Sequence, residues 1–286
     1  MKRVIIFGIF ILLIVVGFIG LSSIKTIKDT QTTSSSEDAS GDGAASLGMP
    51  AEGNKDVPEM VVGDHEGEDY SGGYGEGGEF GREFEGTCPE PLNLETPIDL
   101  SLATSVLYPG QIRGGDYKPH GGFRFDNVND NKISVKIPMN SILSQGGRYI
   151  EGGNIQYMFD FIAPCGIQFR FDHLLVLSPK LQEIADKLPE PLVDDSRTYK
   201  VDPIDFVSGE EIALEVGHPN NVFVDFGVYD LREKNEASQS SEFIQNYPSD
   251  LASHAVCWLD LLSGEDSAIV KSLPGSGQEG KTSEYC

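Results

Sequence analysis

The sequence predicts a mainly β fold with peripheral helices, and two observations support this prediction. Segments in which apolar and polar residues alternate recur through the middle of the chain, and clusters of Gly, Asn and Pro that favour turns separate them. The clearest alternating segments are Ile155–Ile162, Ile167–Leu174 and Asn221–Tyr229. We expect these segments to form a β-sandwich or a β-barrel, with helices packed at its periphery.

Helical spacing of apolar residues is limited to a few places. Leu181, Ile184 and Leu188 follow it within Pro179–Leu188. A second helix is predicted to begin at Ser249 and to carry the apolar residues Leu251, Ala255, Leu259 and Leu262. The segment Pro189–Asp205, rich in Pro and Asp, is expected to be an exposed insertion between strands.

The N-terminal residues predict a membrane anchor. Lys2 and Arg3 precede an uncharged, apolar run from Val4 to Ile24, which is long enough for the helix of about 20 residues that spans a bilayer. Basic residues before the run predict that the N-terminus is cytoplasmic and that the rest is exported. We therefore expect a single-pass protein of the cell membrane with residues 1–24 as its anchor. A cleaved signal peptide is the alternative.

Residues 25–87 have a composition typical of a disordered linker. Gly, Ser, Asp and Glu dominate and large apolar residues are few, so this segment cannot bury enough surface to offset its ordering entropy. The whole chain carries a formal net charge of −24 at pH 7. Because phosphate backbones repel such a chain, nucleic acid is not expected as a partner.

The four cysteines follow the predicted anchor and therefore lie on the oxidising side of the membrane. An even number of cysteines in that compartment favours disulfides over a metal site. We favour the pairs Cys88–Cys165 and Cys257–Cys286, while the other pairings and a bridge between two chains stay open. On this basis we expect a β domain over residues 88–240 and a helical extension, tied down by the second disulfide, over residues 241–286.

Three strand-like segments carry polar residues of the types found in metal sites. His120, Arg124 and Asp126 share one face of the first segment, because residues two or four apart on a strand point to the same side. Asp225 lies on a second such segment and His173 on a third. The side chain of His218, which precedes Pro-Asn-Asn, is interpreted as part of a turn rather than as a ligand.

The order of these segments resembles the lysostaphin-type (LytM-like) zinc endopeptidases of peptidoglycan, which have a duplicated-hybrid-motif β fold. The resemblance covers roughly residues 107–231. Its motifs, each at the place of a family motif, are His120–Arg124 (His-x-Gly-x-Asp strand), Val135–Pro138 (apolar-Pro strand), Asp172–Leu174 (His-Leu strand), Val207–Gly217 (the turn before the last strand) and Phe223–Val228 (His-x-His strand).

The resemblance implies that His120 is the first zinc ligand and His173 a catalytic histidine. Arg124 stands in place of the second ligand, Asp225 in place of the third, and Phe223 in place of the other catalytic histidine. A catalytic zinc site needs three protein ligands and an open position for water. We therefore expect Arg124 to pair with Asp225 and to replace the metal, so that no cofactor is bound. The resemblance then implies a degenerate domain that binds or scaffolds an envelope peptide or glycan.

Two alternatives stay open. In the first, His120, Asp126 and Asp225 hold zinc or another divalent cation and His173 activates water. The protein would then be an active metal-dependent endopeptidase that cleaves cell-wall or surface peptides. In the second, the β domain is a structural surface domain without any ligand.

Overall fold

The structure is a computed structural model that describes residues 84–286. The predicted anchor, residues 1–24, and nearly all of the predicted linker therefore lie outside the described residues. Among the helices that the structure does describe, none has the length and apolar character needed to cross a bilayer.

The described part of the chain is mainly β, as the alternating segments predict. Its twelve strands are β1 (Ser105–Leu107), β2 (Gln111–Arg113), β3 (Asp116–Lys118), β4 (Gly121–Arg124), β5 (Val135–Lys136), β6 (Ser141–Glu151), β7 (Asn154–Ile162), β8 (Ile167–Leu177), β9 (Leu192–Val193), β10 (Tyr199–Phe206), β11 (Glu211–Val216) and β12 (Phe223–Asp230). Its four α-helices are α1 (Pro179–Ala185), α2 (Ser241–Asn246), α3 (Asp250–His254) and α4 (Gly264–Ser272).

Ten of these strands form one mixed sheet. The main path runs β1-β4-β12-β8-β7-β6-β10, while β11 joins β8 to β5 and β9 joins β6. Only β9 pairs in parallel, with β6; the other described pairs are antiparallel. The separate two-stranded sheet is the hairpin β2–β3. Strands β4, β12 and β8 are therefore neighbours, which brings together segments far apart in sequence.

Strand β12 shows how the sequence sorts the two faces of the sheet. Val224, Phe226 and Val228 are at most 1% exposed and join the main core. Phe223 and Asp225 alternate with them and therefore face the other side. The apolar face packs against Trp258, whose ring centroid lies 5.2 Å from that of Phe226. The polar face is left for the site.

Both predicted disulfides are present. Cys88 pairs with Cys165, which joins the start of the described chain to the turn between β7 and β8. Cys257 pairs with Cys286 and fixes the last residue of the chain.

Two local predictions differ from the structure. The helix predicted from Ser249 ends at His254, because Ala255 forms a β-bridge with Tyr229 and Val256 donates a hydrogen bond to the carbonyl of Val228. Backbone pairing with the end of β12 thus overrides the helical spacing. The segment predicted as an insertion, Pro189–Asp205, includes β9 and most of the edge strand β10, which pairs with β6.

Candidate functional site

Three neighbouring strands place His120, Asp225 and His173 together on the polar face. His120 immediately precedes β4, Asp225 lies in β12 and His173 in β8. The Nε2 atom of His120 lies 2.9 Å from Asp225 Oδ2, and Nε2 of His173 lies 3.9 Å from the same oxygen. The structure thus brings together the three residues that the order of the motifs assigns to one site.

The register of the sheet leaves room for the Asp225 carboxylate. Asp225 is opposite Gly122 on β4 and Asp172 on β8. A Cβ atom at position 122 would lie 2.3 Å from the carbonyl oxygen of Val224 and 3.1 Å from Asp225 Oδ1. A residue without a side chain is therefore needed at position 122 for this close approach of strands.

A β-bulge in β8 orients His173. Leu174 pairs with Tyr157 but Phe171 pairs with Phe159, so β8 contains one extra residue in this interval. His173 has a φ of 61°, in the left-handed region that non-glycine residues rarely adopt. Its amide donates to Asp172 Oδ1 at 2.7 Å, and the same oxygen accepts the Tyr149 hydroxyl at 2.7 Å. The bulge thus sets the imidazole beside a buried carboxylate and a buried phenol.

The guanidinium beside Asp225 belongs to Arg113, where the sequence predicted Arg124. Arg113 ends β2, and its Nη2 atom lies 4.0 Å from Asp225 Oδ2. The guanidinium also donates to the carbonyl oxygens of Tyr108 and His120, each at 3.0 Å. Sequence reasoning missed Arg113. The Gly-Gly turn after it predicts a hairpin, but no local signal shows where this hairpin docks.

Arg124 has other partners. It donates to Asp126 Oδ1 at 3.0 Å and to Asn221 Oδ1 at 2.9 Å. Arg124 pairs with Phe223, the first residue of β12, and this end of the strand follows the loop that carries Asn221. Asp225 lies further along β12, where it pairs with Gly122. Asp126 also accepts the Thr104 hydroxyl at 2.8 Å, and its side chain is 51% exposed.

Electrostatics favour an ionised Asp225 and a neutral His120. Burial raises the pKa of Asp225, but the interactions with His120, His173 and Arg113 outweigh it and hold this pKa well below its ordinary value. Burial lowers the pKa of His120 below its ordinary value of 6.5, although Asp225 opposes this shift. At neutral pH we therefore infer that His120 donates its Nε2 hydrogen to the Asp225 carboxylate, with the charge of Arg113 nearby.

The residues present do not fit the three-ligand zinc site of the resemblance. His120 and Asp225 contact each other directly, and Asp126 is hydrogen-bonded to Thr104 and Arg124. The Arg113 guanidinium adds a positive charge where a cation would have to bind. A catalytic zinc ion needs three protein ligands, so this arrangement does not supply them.

A second cluster lies next to this one and shares His173. Glu151, His173 and His218 each offer a ligand atom, and these atoms all lie within 4.8 Å of one another. Oε2 of Glu151 lies 3.5 Å from His173 Nδ1 and 3.8 Å from His218 Nε2. The ring of Phe223 borders the cluster, with its centroid 4.4 Å from that of His173.

Sequence reasoning did not identify this cluster. Glu151 is the last residue of β6, before a Gly-Gly turn, and carries no motif. His218 does lie beside a turn, as predicted, and it exchanges backbone hydrogen bonds with Asn221. Its side chain nevertheless contacts Glu151, which the turn interpretation did not include.

Comparisons with known proteins do not establish a family. No family model and no curated protein matches the chain. Among solved structures, the chain is similar to Csd3 of Helicobacter pylori, with a TM-score of 0.33 and 12% sequence identity. The match covers 63% of this chain and 40% of the Csd3 chain, which is less than half of that protein's length. Similarity at this level does not demonstrate common function.

Proposed function

We propose that residues 88–240 form an extracytoplasmic domain of the lysostaphin type, with a duplicated-hybrid-motif fold, and that residues 241–286 are its helical extension. In this proposal residues 1–24 hold the domain at the cell membrane. The domain binds a peptide or glycan strand of the cell envelope and does not hydrolyse it. The order of the motifs in the sequence and the geometry around Asp225 support this proposal.

The cationic environment of Asp225 is the observation that carries the proposal. In a zinc hydrolase the metal activates water by lowering its pKa, and three protein ligands hold the metal. Here the Asp225 carboxylate accepts from His120 at 2.9 Å and lies 4.0 Å from Arg113. Groups of the protein itself thus balance the charge of Asp225, in the way that we expected of Arg124. The arrangement argues against a hydrolytic zinc site built on Asp225.

The polar face offers groups suited to a peptide or a sugar. The half-buried imidazole of His173 and the half-buried ring of Phe223 lie side by side, with centroids 4.4 Å apart. Behind them, the buried hydroxyl of Tyr149 donates to the buried carboxylate of Asp172, which also accepts from the His173 amide. A few convergent polar groups beside an aromatic side chain are typical of ligand sites. Further along the same face, Arg170 and Asp160 form a bidentate ion pair at 2.8 and 2.7 Å.

The test is co-sedimentation of the full-length chain with isolated cell-envelope polymer, combined with an assay for soluble fragments. We expect sedimentation without release of fragments. Phe223→Ala removes the aromatic ring beside His173 and should weaken sedimentation. Ile269→Ala, an exposed substitution on α4, is the matched control and should bind as the unmodified protein does.

Hydrolysis is the second candidate, and one observation favours it. Oδ1 of Asp225 is buried and accepts no hydrogen bond within the part of the chain that the structure describes, so one carboxylate oxygen is available to a cation. If envelope fragments are released and His120→Ala abolishes the release, the protein is an enzyme. Absence of both release and sedimentation would contradict both candidates.

A further inference from the structure

We propose that Glu151, His173 and His218 form a binding site for a divalent transition-metal ion, with Zn²⁺ as the representative ion. This site lies next to the predicted one and shares none of its metal ligands, His120, Asp126 and Asp225. The proposal goes beyond envelope binding and stands independently of it.

The ligand types and distances suit zinc. Two imidazoles and one carboxylate are a ligand set of catalytic zinc sites, which keep a fourth position open. Ligand atoms about 2.0–2.2 Å from a tetrahedral zinc lie about 3.3–3.6 Å from one another. Glu151 Oε2 lies 3.5 Å from His173 Nδ1 and 3.8 Å from His218 Nε2. The ligand atoms of His173 and His218 lie within 4.8 Å of each other, and the Glu151 side chain, which is 42% exposed, has room to shift toward them.

Unusual backbone conformations lie at or beside each of the three ligands. His173 has a φ of 61° within the bulge. Glu151 precedes a two-residue turn formed by Gly152 and Gly153, with φ values of 58° and 80°. His218 follows Gly217, which has a φ of 75° and donates its amide to the His173 carbonyl at 2.7 Å. Glycine adopts positive φ values without strain, so the strained residue among these is His173, and strain of that kind persists only where the surroundings enforce it.

The cluster has few protein partners within residues 84–286, and one of them, the Tyr149 hydroxyl, lies 3.5 Å from His173 Nδ1. The His218 imidazole is 15% exposed, and Nδ1 is buried without a hydrogen-bond partner within residues 84–286. Within that range the carboxylate that lies within 4.0 Å of Nε2 is that of Glu151, at 3.8 Å, which is too long for a hydrogen bond. A cation bound by Glu151 Oε2, His173 Nδ1 and His218 Nε2 would balance the carboxylate charge and give His218 Nε2 a partner, whereas Nδ1 of His218 would keep its buried position without one among the described residues.

Asp225 lies where a supporting residue of such a site is expected. If Nδ1 of His173 binds the metal, Nε2 carries the hydrogen and faces Asp225 Oδ2 at 3.9 Å. This distance is too long for a hydrogen bond, and the same oxygen accepts from His120 at 2.9 Å, so the support is electrostatic. Histidines that bind metals commonly direct their other N–H toward a carboxylate, which fixes the ring and increases its basicity. The open fourth position would take water or a carboxylate or carbonyl oxygen of a ligand.

The experiment is equilibrium dialysis of the metal-stripped, full-length chain against Zn²⁺, with metal content measured per chain. We expect one tightly bound ion. Glu151→Gln and His218→Ala should each weaken its binding at least tenfold, because each removes a direct ligand. Glu183→Gln, a surface substitution on α1, should leave the affinity unchanged. Bound Co²⁺ provides a second readout, because its visible spectrum reports imidazole and carboxylate coordination.

His120→Ala separates this site from the predicted one. Under our proposal it retains the bound ion, whereas a zinc site built on His120 and Asp225 would lose it. Thermal melting identifies a variant that fails to fold, and His120→Gln then replaces it. The proposal is overturned if no tight site exists, if Glu151→Gln and His218→Ala bind as the unmodified chain does, or if His120→Ala alone abolishes binding.

Discussion

Two regions of the same polar face share His173 but are stabilised in different ways. Around Asp225, the protein supplies a hydrogen-bond donor, His120 at 2.9 Å, and a neighbouring positive charge, the Arg113 guanidinium at 4.0 Å. Around Glu151, the imidazoles of His173 and His218 approach the carboxylate at 3.5 and 3.8 Å. The difference shows that the polar groups of motif residues such as His120 and Asp225 can find their partners within the protein. Glu151 and His218, which belong to no ligand motif, are instead arranged with His173 as metal ligands. A residue that occupies the place of a metal ligand in a sequence motif therefore need not bind a metal, and the distances around it decide.

The largest expected effect comes from removing the cation beside Asp225. Arg113→Met leaves a buried carboxylate near His120 without its positive neighbour, and it deprives the Tyr108 and His120 carbonyls of their donor. Breaking a buried ion pair in this way costs about 3–5 kcal/mol. We expect a loss of this size in the free energy of unfolding, measured by urea denaturation at pH 7.

Arg113→Lys and Arg197→Ala are the matched comparisons. Lysine keeps the charge but not the forked donor geometry, so it should fall between the unmodified chain and Arg113→Met. Arg197 forms an exposed pair with Asp195, and its removal should change the unfolding free energy little. Equal effects of Arg113→Met and Arg197→Ala would show that Arg113 does not stabilise the Asp225 region.

The next effect concerns the backbone that carries His218. Gly217 has a φ of 75°, and a Cβ atom there would lie 2.7 Å from both the Asn221 carbonyl oxygen and the Phe223 amide nitrogen. Gly153 has a φ of 80°, but nothing lies within 4 Å of its Cβ position. Both substitutions to Ala strain the backbone, by about 1–3 kcal/mol, and Gly217→Ala adds a steric clash.

We therefore expect Gly217→Ala to lower the melting temperature more than Gly153→Ala does. It should also weaken zinc binding, because the clash displaces His218 from Glu151. Equal melting temperatures for the two variants would show that the loop accommodates the added methyl group, and that His218 is not rigidly placed.

The sequence predicts much of the sheet and part of the site. Alternation of apolar and polar residues identifies β7, β8 and β12, because one face of each strand is apolar and joins the main core while the other carries polar residues. The order of the motifs assigns His120, His173 and Asp225 to one site, and neighbouring strands β4, β12 and β8 bring them together. The local pattern is sufficient to predict these strands, because the alternating residues of each strand themselves determine which side faces the core.

The other site residues depend on contacts that no local pattern encodes. Arg113 lies in the β2–β3 hairpin and approaches Asp225, a residue more than one hundred positions later in the sequence. Glu151 approaches His218 only because the turn after β6 lies beside the turn after β11. The bulge at His173 changes which way its ring points, and simple two-residue alternation does not anticipate an inserted residue.

A smaller effect tests whether Asp225 links the two regions. Asp225→Asn removes the negative charge that faces His173 Nε2 at 3.9 Å. Loss of a hydrogen-bonded supporting carboxylate weakens metal binding by about 10- to 100-fold. Because Asp225 lies 3.9 Å from His173 Nε2, beyond hydrogen-bond distance, we expect a decrease in zinc affinity of about tenfold or less in the dialysis experiment. Asp126→Asn alters an exposed carboxylate bonded to Thr104 and Arg124 and should have no effect. If both variants bind zinc equally well, the two regions act independently.

The smallest effect is the pH dependence that His120 confers. Burial lowers the pKa of His120 in the folded chain, whereas the unfolded chain retains a value near 6.5. Between these two values the unfolded state binds a proton that the folded state does not, so stability falls as the pH is lowered below about 6.5. Above that pH, His120 contributes no pH dependence to the stability.

Histidine NMR titration of the metal-free chain should place the pKa of His120 below 6.5, and His120→Gln should reduce the loss of melting temperature between pH 7 and pH 5.5. Burial also lowers the pKa of His218, so His218→Gln should remove a further part of the loss. A His120 resonance that titrates above pH 6.5 would mean that the attraction of Asp225 outweighs burial, and the first region would then hold a charged imidazolium.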